Sequence, residues 1–156
     1  MKTISFFGHR NVFRQENVYE KLMQTLKTMI PQGFSRLLVG CHGDFDSIAL
    51  NTCSHFKKQF DNTIQLNVVL TSLAMLHKDD YGNSRADFYK NYHCETIFFD
   101  TEEVHFKNRI TISNRKMIDL SDAIICYVDM NSYRSGAKKA VQYAIRQNKT
   151  VINLYE

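Results

Sequence analysis

Proline is scarce and closely paired cysteines are absent in this 156-residue sequence. Pro31 is the single proline, and no Gly/Ser tract, low-complexity run or internal repeat is present. Neither a linker nor a repeat array is therefore expected. The four cysteines, Cys41, Cys53, Cys94 and Cys126, are widely spaced and none forms CxxC. That spacing argues against a structural zinc site and fits reduced thiols in the cytoplasm. The other histidines, His55, His77, His93 and His105, are scattered, so no metal is expected. No apolar run approaches the ~20 residues that span a bilayer. The stretch Thr3–Phe7 after Met1-Lys2 is too short for a signal-peptide core, so no membrane partner is expected. Charge is also nearly balanced: 20 Lys and Arg against 16 Asp and Glu give +4. That admits nucleic acid or an anionic small ligand and demands neither.

What remains is ordinary globular composition, 44% hydrophobic and 23% charged, in a length that suits one domain over residues 1–156. Five apolar runs read as strands buried on both faces: Thr3–Phe7, Arg36–Cys41, Leu66–Thr71, Ala123–Val128 and Thr150–Leu154. Continuous apolar character is the mark of a parallel sheet. Ile97–Phe99 is a candidate for a further short strand. Three helical faces lie between them. Tyr19, Leu22, Met23, Leu26, Met29 and Ile30 form the first, stopped by Pro31-Gln32-Gly33. Ile48, Ala49, Thr52, Cys53, Phe56 and Phe60 form the second; Ala137, Ala140, Val141, Ala144 and Ile145 form the third. Alternating strands and helices predict an α/β layered fold with a mostly parallel sheet. Residues 73 to 108, rich in polar and aromatic residues, predict a helix plus an excursion over one edge.

Ligands of open parallel sheets sit beyond the carboxyl ends of the strands, and three strand ends here carry suggestive residues. Gly8-His9-Arg10 offers a tight turn and a cation for a phosphate, or simply a turn with two solvated side chains. Gly40-Cys41-His42-Gly43-Asp44-Phe45-Asp46 offers loop amides at a helix start, with Asp46 as N-cap and Asp44 free for ribose hydroxyls. It is neither a full GxGxxG nor a Walker loop. Ser132-Tyr133-Arg134-Ser135-Gly136-Ala137 offers a second small-residue helix start, with Ser135 as cap and Arg134 and Lys138 as cations. A β-branched side chain at Gly43 or Gly136 would block close approach of a phosphate to the backbone. Cys41 and His42 are adjacent, so they point in opposite directions, and Cys41 reads as a small buried hydrophobe rather than a nucleophile.

In order along the chain, Ile4-Ser5-Phe6-Phe7-Gly8-His9-Arg10, Gly40…Gly43-Asp44-Phe45-Asp46…Ala49, Asn114-Arg115-Lys116-Met117-Ile118-Asp119-Leu120-Ser121-Asp122 and Ser135-Gly136-Ala137…Val151-Ile152-Asn153-Leu154 resemble the SLOG superfamily, most closely its YpsA-like branch. That superfamily includes the Lonely Guy phosphoribohydrolases, DprA and the ligand-sensing domains of some antiviral systems. The resemblance implies a Rossmann-like three-layer sandwich that binds a nucleotide or nucleotide derivative at the strand ends. It implies a ligand-reading role for Asn114, phosphate pairing for Arg115 and Arg109, structural roles for Asp119 and Asp122, and self-association. The exposed aromatics of residues 81–99 would supply that contact. The Lonely Guy PGGxGTxxE loop, with its glutamate, is not matched: the turn here reads Arg134-Ser135-Gly136-Ala137-Lys138-Lys139-Ala140. Only Asp44, Asp46, Glu102 or Glu103 offers a replacement carboxylate, and glycosidic cleavage needs one. The YpsA-like arginine before the helix asparagine is Ser113 here. The expectation is a binder that needs no cofactor and senses or sequesters a nucleotide-type signal, as phage proteins can. The alternative is a hydrolase of the N-glycosidic bond in a nucleoside monophosphate or ADP-ribose derivative. DprA-like DNA binding ranks below both, since no dense Lys/Arg stripe with interleaved aromatics is present.

Overall fold

The computed structural model describes residues 1–133 and 135–156. Among these, six strands pair in parallel in the order β4-β3-β2-β1-β5-β6. They are β1 (Lys2–Gly8), β2 (Phe34–Val39), β3 (Gln65–Leu70), β4 (Glu95–Phe98), β5 (Ala123–Tyr127) and β6 (Thr150–Asn153). Four α-helices connect them: α1 (Gln15–Met29), α2 (Asp44–Gln59), α3 (Phe106–Asp119) and α4 (Gly136–Arg146). The apolar runs are continuous because alternate residues feed two cores. Along β1, Ile4 and Phe6 pack with α1 and α2, whereas Phe7 packs with α3 and α4. Leu37 and Val39 against Leu38, and Val68 and Leu70 against Val69, repeat the division in β2 and β3. The result is the Rossmann-like three-layer sandwich, helices on both faces of an all-parallel sheet. No described helix is long and apolar enough to cross a membrane.

Several local expectations shift. β2 starts two residues before the predicted Arg36 and ends at Val39, where Gly40 turns against the Asp46 carboxyl. α1 buries Val18, Leu22, Met23, Leu26 and Met29, then gives way to a 3-10 turn at Pro31 and to Gly33 at φ 103°. Phe60 lies one residue past α2 and is 56% exposed, its ring tilted against Phe56 rather than buried with it. Ile145 is 55% exposed on the outer face of α4. Residues 73 to 105 hold no α-helix. They form 3-10 turns at Leu73–Leu76 and Ala86–Tyr92, followed by β4, which starts two residues before the predicted Ile97. Long-range bonds hold this segment: Arg85 Nη2 donates to the Cys41 carbonyl at 2.7 Å, and Thr101 Oγ1 to the Thr71 carbonyl at 3.0 Å.

Candidate functional site

From β1 the chain builds outward through β2, β3 and β4, then returns to the other side of β1 as β5 and β6. Loops after β1 and β5 therefore diverge, and a crevice opens at the carboxyl ends of the strands. A cavity of about 400 Å³ occupies this end of the sheet. Gly8, His9 and Arg10 line it from the end of β1, and Gly40, Cys41 and His42 from the end of β2. Val69 and Thr71 come from β3, Asp46 from α2, and Ser135, Gly136 and Ala137 from the start of α4. One face of α3 closes it through Ile110, Ser113, Asn114 and Met117.

The start of α2 is clasped against the loop after β1. The Asp44 and Phe45 amides donate to the Arg10 and His9 carbonyls at 2.8 and 3.4 Å. Asp44 Oδ2 accepts from the Val12 amide at 2.9 Å. Gly43, at φ 91°, is the N-cap, and a Cβ there would lie 2.7 Å from the Arg10 Cα. The Phe45 ring fills the space a side chain on Gly8 would need. Gly43, Asp44 and Phe45 are thus joinery between two loops and are not among the lining residues. The predicted cap is corrected too: Asp46 lies in the first turn, not at the N-cap, because the chain turns into the helix at Gly43.

Asp46 faces the cavity while its Oδ2 accepts from the His42 amide at 2.9 Å. Burial pushes its carboxyl up to about 7, against the opposing pull of the His42 amide and of Arg10. His42 moves the other way, down to about 4, through burial and then the Arg85 and Arg10 cations. Its Nε2 and the Thr71 hydroxyl are 2.9 Å apart. At neutral pH His42 is an uncharged hydrogen-bonding group. Burial raises the Cys41 thiol to about 11, so the adjacent Cys and His hold neither a thiolate nor an imidazolium at pH 7. His9 is fixed differently: its Nε2 accepts from the Asp129 amide at 2.8 Å, and its ring lies edge-on to Tyr127 and Tyr155.

At α4, Ser135 is the predicted cap, its Oγ accepting from the Lys138 amide at 3.1 Å. The amides of Gly136 and Ala137 belong to the first turn, whose N–H groups have no intrahelical acceptor. A Cβ on Gly136 would meet nothing within 4 Å. Ser132 stands behind this turn: its hydroxyl donates to the Asp129 carbonyl at 2.6 Å and its carbonyl accepts from Lys138 Nζ at 2.8 Å. Arg134 lies outside the described residues. Arg115 stacks on Tyr143, 5.3 Å from the ring centre, in a second groove of about 270 Å³ between α3 and α4. Lys139 and Arg146 also line that groove, and Asn114 and Gly136 border both hollows. Arg109 pairs with Glu102 at 3.4 Å and donates to the Val104 carbonyl, bracing the approach to α3. Asp119 accepts from the Tyr143 hydroxyl, and Asp122 from the Thr3 amide, both structural as expected. Of the four carboxylates considered, only Asp46 lines the cavity; Glu102 is occupied by the Leu73 amide at 2.6 Å.

Of the α3 wall only Asn114 was expected; Ile110, Ser113 and Met117 were passed over. Residues 110, 113, 114 and 117 form an i, i+3, i+4, i+7 stripe, a signal present in the sequence but masked by its mixed polarity. Ser113 is the unusual member. It is 1% exposed and its hydroxyl has no hydrogen-bond partner among the described residues. Leaving such a group unpaired costs about 1–3 kcal/mol. Among the described residues, no cluster of three or more His, Cys, Asp or Glu could hold a metal ion. No protein-family model and no curated protein matches the sequence.

Proposed function

We propose that this chain binds a nucleotide-type ligand in the crevice between β1 and β5 and retains it without breaking it down. One observation carries the reading. A cavity of mononucleotide scale joins an open helix start to an apolar floor made by Phe7, Val69, Ile110 and Met117. A phosphate suits the Gly136 and Ala137 amides with Arg10 as countercharge, and a flat ring suits the floor. The resemblance of the ordered motifs to SLOG proteins supports the same assignment. The groove beyond Asn114, with Arg115, Lys139 and Arg146, gives room for a second anionic group. Sequestering or sensing a nucleotide-derived signal is the corresponding role. Self-association belongs to this reading, with Tyr81 and Phe88 as contacts, the rings of residues 81–99 that remain well exposed at 90% and 59%.

Native mass spectrometry of the protein purified from cells, followed by denaturation, tests this. A nucleotide or cyclic derivative recovered intact is the expected result. An empty protein that also fails to bind ribonucleoside monophosphates, ADP-ribose or cyclic dinucleotides by calorimetry defeats it. A second reading, hydrolysis of an N-glycosidic bond, is favoured by Asp46, whose half-protonated carboxyl near pH 7 suits general acid–base work. Free base or ribose phosphate released on chromatography, and lost in Asp46→Asn, would replace the binder with an enzyme.

A further inference from the structure

Helical hydroxyls in this protein commonly bond back to the carbonyl four residues earlier. Thr25, Thr28, Ser47 and Thr52 do so, at 2.7 to 3.3 Å. Ser113 does not, although it is more deeply buried than most side chains of α3 and the Arg109 carbonyl lies one turn back. Its neighbours on the same helix face, Ile110 and Met117, are apolar, as are Phe7 and Val69 on the floor of the cavity. The hydroxyl is therefore a buried polar point in an apolar part of the pocket wall. Among the described residues nothing satisfies it, and the cavity beside it is where a partner would come from.

We propose that Ser113 is a specificity-determining residue whose hydroxyl hydrogen-bonds the edge of the ligand's nucleobase. This rests on the nucleotide reading above. The apolar floor takes the face of a flat ring, and a base is a flat ring whose edge carries donors and acceptors. The phosphate end belongs at Gly136, at the cavity rim, so removing the hydroxyl affects the base and spares the phosphate. Selectivity of this kind is strong because a wrong edge leaves the serine as unpaired as it is in the empty pocket.

The test is titration calorimetry of the whole chain with AMP, GMP, CMP, UMP and ribose 5-phosphate, in wild type and Ser113→Ala. The tightest nucleotide is expected to bind the variant about tenfold more weakly. The ranking of the four bases should flatten, while ribose 5-phosphate, which lacks a base, binds both proteins alike. The ligand-free variant should melt about 2–4 °C higher, because an unsatisfied buried hydroxyl has gone. Ser113→Cys keeps a weak donor in place of the hydroxyl, and should fall between the two. Unchanged nucleotide affinity in Ser113→Ala overturns the assignment and leaves the nucleotide site standing. Equal losses for nucleotides and ribose 5-phosphate also overturn it. Failure of wild type to bind any of the five probes overturns this inference, and failure with ADP-ribose and cyclic dinucleotides as well removes the nucleotide reading with it.

Discussion

Asp46 and His42 share a hydrogen bond at the pocket mouth yet pull stability in opposite directions as pH changes. Asp46 has a folded value near 7 against an ordinary 3.8, so the folded state holds its proton more tightly. Its contribution is complete below about pH 4 and is lost as pH rises towards 7. His42 has a folded value near 4 against an ordinary 6.5, so the unfolded chain binds its proton more tightly. Its contribution is complete above 6.5 and is lost as pH falls towards 4. Between pH 4 and 6.5 the two slopes offset, each at most about 1.4 kcal/mol per pH unit. Asp46→Asn should expose the histidine slope, and urea denaturation should show stability climbing with pH across that window relative to wild type. His42→Gln should show the reverse. Curves for both variants that run parallel to wild type would mean neither group is as buried as described. The sequence gives no hint of these shifts, because a carboxyl's environment depends on Gly40 and on loops far along the chain.

Two helix starts that look alike in sequence differ in what their amides are free to do. Each follows a buried strand and carries small residues, so both read as phosphate cradles. At α2 the first amides are spent on His9 and Arg10, residues from another loop, and no local pattern announces such a partner. At α4 the cap is local, and Ser135 was legible for that reason. Gly43→Val and Gly136→Val separate the two. At Gly43 the left-handed backbone and the Arg10 Cα both oppose a side chain, so a loss of about 2 kcal/mol or more is expected in thermal melts. At Gly136 there is open space, so the melt should change by no more than about 0.5 kcal/mol while calorimetric nucleotide binding disappears. Normal binding by a folded Gly136→Val protein would move the phosphate site elsewhere.

Over the whole molecule, the layered architecture was legible because the strand runs are continuously apolar, and only burial from both sides explains that. Residues 73 to 105 were not, since they are held by Arg85 and Thr101 reaching other segments and by Glu102 reaching back to the Leu73 amide, rather than by any period. The same segment leaves Tyr81 and Phe88 at the surface, and sedimentation at micromolar concentration should find a homodimer or larger species. A monomer there would refute self-association. The seam that makes the crevice also dates it. β1 is made first, but its neighbour β5 begins more than a hundred residues later, and α4 follows that. A ribosome must therefore pass the start of α4 before the pocket exists. No nascent chain that stops short of α4 presents the crevice, so its walls come together in one step rather than strand by strand.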